Sequence, residues 1–305
     1  MLFSVPFPSI RGWIIATLCG LLLTLVSGCS ALRIGYSTAP DFAYWWFDRY
    51  ADFSGDQASR VREALAQWFT WHRRTQLPDY AALLARMRAE ATVDTTAERV
   101  CEWQADLMRR ADTAYDRAGP AIAEIVLTLT PEQIAQIQKR QAKVNDEFRE
   151  DYLQPDRAKR AAATLKRTVE RAEMIYGKLD AGQRERIAAA LTRSPFDPEA
   201  WDAERRARQQ DVVQLIGKLV KEKAPLAQAQ TELRGYVDRI ERSPHEAYRR
   251  YSERLMEFNC GFVANLHNTT TPEQRRHAVQ TLAGWETDLR SLATSTPTAA
   301  AESPN

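Results

Sequence analysis

Excess charge of either sign is missing from this chain, in which 42 Lys and Arg stand against 40 Asp and Glu over 305 residues. A balance so close to neutral gives no basic surface for a polyanion, and no nucleic-acid partner is expected. Glycine is sparse, at 12 residues, and neither a glycine-rich phosphate loop nor a nucleophile elbow occurs, so the usual signatures of nucleotide and hydrolase chemistry are absent. Alternating apolar and polar stretches of useful length are also lacking, which leaves no predicted sheet. The four histidines do not sit at metal-ligand spacing. His245-Glu246 lacks the second histidine of a zinc helix because position 249 is Arg, and His267 and His277 have no acidic or thiol cluster nearby. No metal or cofactor is expected. Cysteine is rare too, and the positions of Cys19, Cys29, Cys101 and Cys260 say more than their number.

An uncharged run from Trp13 to Val26 follows Arg11, the one charged side chain ahead of it. The run is too short to span a bilayer comfortably and has the order of an export signal. It ends in Val26-Ser27-Gly28-Cys29, which resembles the lipobox of bacterial lipoproteins; Cys19 does not fit, because the large Leu18 precedes it. The resemblance implies a signal peptide over 1–28, cleavage before Cys29, lipid on the Cys29 thiol, and a membrane reached through that lipid. An uncleaved anchor helix is the competing reading. Ser30, next in the mature chain, implies the periplasmic face of the outer membrane where the organism has one. Cys101 and Cys260 then remain as a pair in an oxidising compartment and predict one long-range disulfide, against the alternative of two buried free thiols.

Past Pro40 almost every segment has the three-and-four spacing of an amphipathic helix, so the expected fold is all-α, an array of about ten helices in one elongated domain or two lobes. Ile134, Ile137, Val144, Phe148 and Tyr152 share one stripe; Leu165, Val169, Ala172, Tyr176 and Leu179 share a second; Tyr248, Tyr251, Leu255, Phe258 and Phe262 a third. Glu124 to Leu129 is read as the end of a helix. Helix starts carry a recurring signature: Ser54 with Gln57, Thr95 with Glu98, Thr130 with Gln133, Asp180 with Gln183 and Thr271 with Gln274 each place a cap three residues before Gln or Glu. Breaks are expected at Leu77-Pro78, Gly119-Pro120, Gln154-Pro155, the Ser194 to Pro198 loop, Ala224-Pro225 and Ser243-Pro244. The resulting organisation is a tether over 29–40, a helical domain over 41–291 and a disordered tail over 292–305.

Leu129-Thr130-Pro131-Glu132-Gln133 resembles the Leu-Thr-x-x-Gln motif of Spy-type periplasmic chaperones, small helical proteins that cradle unfolded clients. The segments 179–183 and 270–274 are imperfect echoes, and the chain departs from that family in length, anchor and charge. A wider resemblance, to an uncharacterised family of Gram-negative helical lipoproteins, rests on the lipobox, Leu32 to Tyr36, an aromatic helix to Tyr50, Gln57, and Trp71-His72-Arg73 leading into Leu77-Pro78-x-Tyr80. It implies a helical fold and an envelope location, and it carries no activity.

Aromatic residues crowd the stretch from Tyr44 to Trp71. Core for a helical pair is one reading, in which Leu65, Trp68 and His72 share a face; a surface touching lipid headgroups or a partner is the other. Consecutive Trp45 and Trp46 must point about 100° apart on a helix, so one of them is expected at the surface. The candidate binding residues are Tyr44, Trp45, Trp46, Tyr50, Trp71 and His72. The run Arg205-Arg206-Ala207-Arg208, interleaved with Glu204 and Asp211, reads as a solvated charged face. These features lead to a lipid-anchored, non-enzymatic binding or structural scaffold whose partner is a protein or envelope component. A chaperone-like or envelope-stress protein is the alternative, and an enzyme using His72 comes third.

Overall fold

Helices form where capping chemistry and apolar spacing predict them, and they make up all the regular structure among residues 31–295, which are those that the computed structural model describes. In chain order they are α1 (Ala31–Ala51), α2 (Gly55–Trp71), a π-helical segment (His72–Gln76), α3 (Leu77–Glu90), α4 (Ala97–Val126), α5 (Pro131–Tyr152), α6 (Arg157–Tyr176), α7 (Ala181–Leu191), α8 (Pro198–Lys221), α9 (Leu226–Glu241), α10 (Glu246–Asn268) and α11 (Pro272–Thr294). The fold is all-α. The expected signal peptide, the lipidated Cys29 and the tail beyond residue 295 lie outside the described residues.

Four of the five capping arrangements form as expected, at Ser54, Thr130, Asp180 and Thr271. In the fifth the cap is Thr96 instead of Thr95: the Thr96 hydroxyl accepts from the Arg99 amide, and Asn268 takes up Thr95 by bonding both its N–H and its carbonyl. The four glutamines do more than cap. Gln57 and Gln133 exchange amide hydrogen bonds at 3.1 and 2.7 Å, and Gln183 and Gln274 do the same at 2.6 and 2.8 Å. Each glutamine Oε1 also accepts from the backbone N–H of its own cap residue. Each Nε2 donates, besides, to the carbonyl two residues before the partner's cap: Thr128, Asp52, Thr269 and Lys178. Two helix starts far apart in sequence are thereby joined by an amide pair with every donor and acceptor satisfied, and the arrangement occurs twice. Burial of four polar side chains is tolerable for that reason.

Each clasp sits beside an apolar cluster. The first cluster gathers Ala51, Ala123, Val126, Leu129, Leu215, Ile216, Leu219, Ala229 and Leu233, with Ile134 and Ile137 of the predicted stripe packed against it. The second holds Val169, Ala172, Leu179 and Ile187, flanked by Leu165, Tyr176, Phe262 and Leu266. Between the ends of the chain, α3 and α11 make the most extensive helix pair. Cys101 of α4 and Cys260 of α10 are joined by a disulfide with Cα atoms 5.5 Å apart.

Several expected breaks are absent. Residues 31–40, expected as tether, form the first half of α1, because Tyr36 packs edge-on against Phe69 at 5.8 Å and holds the helix on α2 through Pro40. The helix α4 runs past Gly119-Pro120, since α9 and α10 pack along it and Ala123 and Val126 beyond the proline are buried. That continuity overrides a local cost of about 3 kcal/mol for an interior proline. The tail expected from Leu292 does not start there: α11 continues to Thr294, with Leu292 buried. At Leu77-Pro78 the chain stays helical and widens into the π segment, in which the Leu77 N–H reaches back to the His72 carbonyl. Pro78 has no N–H to offer the carbonyl of Arg74, which is where a wider turn relieves the ladder.

Candidate functional site

The π segment places His72 in an aromatic cage between α1, α2 and α3. Its ring stacks on Trp68 with centroids 4.7 Å apart, Tyr80 lies at 5.8 Å and Trp71 at 6.2 Å. The Tyr36 hydroxyl is hydrogen-bonded to Nδ1 at 2.9 Å. Burial pushes the His72 pKa down to about 4, and burial pushes the Tyr36 phenol up to about 12 against the pull of Arg73. Both partners are therefore uncharged near neutral pH, and the pair is a neutral hydrogen bond. Arg73 lies 5.2 Å over the Tyr36 ring and donates to the Leu292 carbonyl and the Ser295 hydroxyl at 3.2 and 2.9 Å, which is why the end of α11 is ordered here.

The remaining candidates divide by face. Trp71 joins the His72 cage. Tyr44 turns inward beneath Arg62, 3.4 Å from its ring, and Tyr50 faces Arg140 of α5 at 5.7 Å. Trp45 and Trp46 both face outward, 48% and 44% exposed, with Phe42 at 62% and Phe47 at 44%. One tryptophan of the pair is expected at the surface and both are there: their directions differ, and both fall on the outer half of α1. Phe42 and Trp45 are 5.5 Å apart, Trp46 and Tyr50 4.7 Å, and Arg49 covers Trp45 at 4.7 Å. Of the six residues, Trp71 and His72 lie in the inner cage at the end of α2, Trp45 and Trp46 on the outer stripe along α1, and Tyr44 and Tyr50 turn toward the body beneath Arg62 and Arg140.

One polar cluster was not legible as such. Glu204, read as part of a solvated face, is buried, and so is Asp202 one turn away from Arg205 and Arg206. Glu204 accepts from Arg208 and is hydrogen-bonded to His245 Nδ1 at 2.9 Å, and these partners together with Ser243 hold its carboxyl below the usual range despite burial. Arg205 reaches across to Asn145 and the Val144 carbonyl of α5, and Asn145 pairs with Gln209. The signal was present in the spacing, because Glu204 and Arg208 lie on the same helical face as Leu215 and Leu219 of the core. Their job is to join α5, α8 and the start of α10. His267 is used fully in the fold, bonding Tyr176 at 3.0 Å and the Val93 carbonyl at 2.8 Å. His277 bonds the Ile175 carbonyl and lies against Gly177, whose φ of 71° suits glycine. Among the described residues no group of His, Cys, Asp or Glu is arranged to hold a metal ion.

A groove of about 660 Å³ runs between α7 and α10, with Ile187, Phe258, Phe262 and Leu266 on its floor and Arg186 and Arg193 on its rim. No helix among the described residues is long and apolar enough to cross a membrane. Residues 49–249 match the model of a family described as a family of unknown function (DUF6279). No curated protein and no solved structure matches the chain.

Proposed function

The chain belongs to this family of unknown function, DUF6279, from which no activity transfers, and we propose from its own residues that it is a lipoprotein of the cell envelope acting as a non-enzymatic binding or structural scaffold. In this reading lipid on Cys29 holds it to the periplasmic face of the outer membrane, and a protein or other envelope component is its partner. The observation that carries the reading is α1, which begins two residues after the lipobox cysteine and turns Phe42, Trp45, Trp46 and Phe47 outward. The buried polar groups support a scaffold, because the glutamine clasps and the Glu204 cluster are spent on joining helices. A neutral His72 whose Nδ1 is bonded to a neutral phenol supports a role in packing. The test is Cys29→Ser in the native host. The wild-type chain should fractionate with membranes and carry acyl mass on its first mature residue, and the Ser variant should be released; membrane retention of the variant with no acylation of the wild type overturns the anchor.

A chaperone-like role is the second reading, favoured by the groove between α7 and α10 and by the likeness of the Thr130 to Gln133 box to the Spy-type motif. Its occupant would be an apolar stretch of unfolded chain, with the two rim arginines meeting acidic flanks. Suppression of the aggregation of a denatured client at near-equimolar protein is the expected result, and aggregation at the unassisted rate excludes this reading.

A further inference from the structure

The outward face of α1 is a continuous stripe. Ile34, Thr38, Phe42, Trp45 and Arg49 follow one another at helical spacing with Trp46 alongside, and all six are exposed. Asp41 stands at the edge of this stripe, and Arg49 is its one cation. On the opposite side Tyr36 packs on α2, Tyr44 lies under Arg62 and Ala51 is buried, with Phe47 still exposed among them. An α-helix with one face docked on a folded body and the other largely apolar and aromatic, with its one cation near the C-terminal end, has the composition of an interfacial helix. Tryptophan and a basic residue are the side chains that settle at the level of lipid headgroups.

We propose that α1 lies in the plane of the bilayer, its outer stripe seated among the headgroups of the leaflet that holds the Cys29 lipid. The proposal rests on the anchored reading above, and the length of the intervening chain argues for it. Ser30 alone separates Cys29 from Ala31, and two residues reach at most about 7 Å. The first turn of α1 is thus held at the membrane surface. From there a helix standing upright would carry Trp45 roughly 20 Å from the bilayer and leave the aromatic stripe in water, at 1.5 Å per residue. A helix lying flat brings Ile34, Phe42, Trp45 and Trp46 to one depth and sets the body on the far side. Arg49 then meets anionic lipid, whose charge complements it.

The experiment uses the acylated full-length mature protein in protein-free vesicles of phosphatidylethanolamine and phosphatidylglycerol, with a polarity-sensitive fluorophore on Phe42→Cys and, separately, on Thr38→Cys of the same stripe. Cys101 and Cys260 are bonded and do not compete for the label. A label on Met174→Cys, an exposed position of α6, serves as the aqueous reference. Emission from the α1 positions should shift to the blue, and nitroxide-bearing lipid should quench it about threefold more strongly than at the reference position, as for an interfacial helix. Trp45→Ala with Trp46→Ala should reduce that difference while leaving acylation, vesicle binding and the helical circular-dichroism signal in place. Acylated, vesicle-bound protein whose α1 labels are as wet as the reference overturns the docking and spares the anchor. Protection seen only in native membranes, and absent in protein-free vesicles, assigns the stripe to a protein and overturns it equally. A chain without acyl mass overturns the anchor and the docking together.

Discussion

Replacing Gln183 by Leu removes one half of the second clasp while nearly preserving side-chain volume. Gln183 is 1% exposed and takes part in four hydrogen bonds: Oε1 accepts from the Asp180 N–H and from Gln274, and Nε2 donates to Gln274 and to the Thr269 carbonyl. At a net value of about 1 kcal/mol for each bond, and about 1–3 kcal/mol for each buried group left without a partner, the variant should lose about 3–5 kcal/mol. Gln274→Leu should cost a similar amount. The double variant should cost less than the sum by about 1–2 kcal/mol, because the two amides that would orphan each other disappear together. Urea unfolding followed by helical circular dichroism measures all four species of the cycle. A loss under about 1 kcal/mol for the single variant, or strict additivity in the cycle, would refute the account of the clasp as a cooperative amide pair.

The Cys101–Cys260 bond closes a separation of 159 residues, so its removal by Cys101→Ser with Cys260→Ser should destabilise by about 5 kcal/mol in the chain-entropy limit. An unchanged melting temperature after reduction would contradict that. His72 has a folded pKa near 4 against the usual 6.5, so the unfolded chain binds a proton that the folded chain refuses between those values. Its contribution to stability is complete above pH 6.5 and is lost as pH falls toward 4. Urea midpoints for wild type should fall more steeply across that window than those for His72→Phe, and parallel curves would show that the cage does not shift the histidine.

Fold class and most helix starts were legible because capping is local: cap and glutamine are three residues apart, and their chemistry does not depend on the rest of the chain. The stripes at Ile134 and Ile137 and at Leu165 to Leu179 were legible for the same reason, as a helical period that survives any arrangement of neighbours. What failed was decided at a distance. Pro120 lies inside a helix because partners far along the chain bury the turn beyond it, and Pro40 because Tyr36 docks the helix on Phe69 of α2. Thr96 displaced Thr95 because Asn268, 173 residues away, claimed the backbone of Thr95. The pairing of glutamines across 76 and 91 residues could not be read from either box alone, although the repetition of Gln at the same offset was its trace. The aromatic crowding was visible and its division between cage and outer stripe was not, since that depends on which side of α1 meets α2.

Arg73 touches Tyr36 near the start of α1 with its flat face and the Leu292 carbonyl and Ser295 hydroxyl at the end of α11 with its amines. The two ends of the described chain therefore meet at one side chain, and the polypeptide closes on itself like a ring with a single gap. Domains so arranged tolerate circular permutation, since a short linker across the gap reorders the sequence with little change of shape. A reporter fused after Ser295 would emerge beside the first turns of α1, and so would sample the same surroundings as residue Ala31.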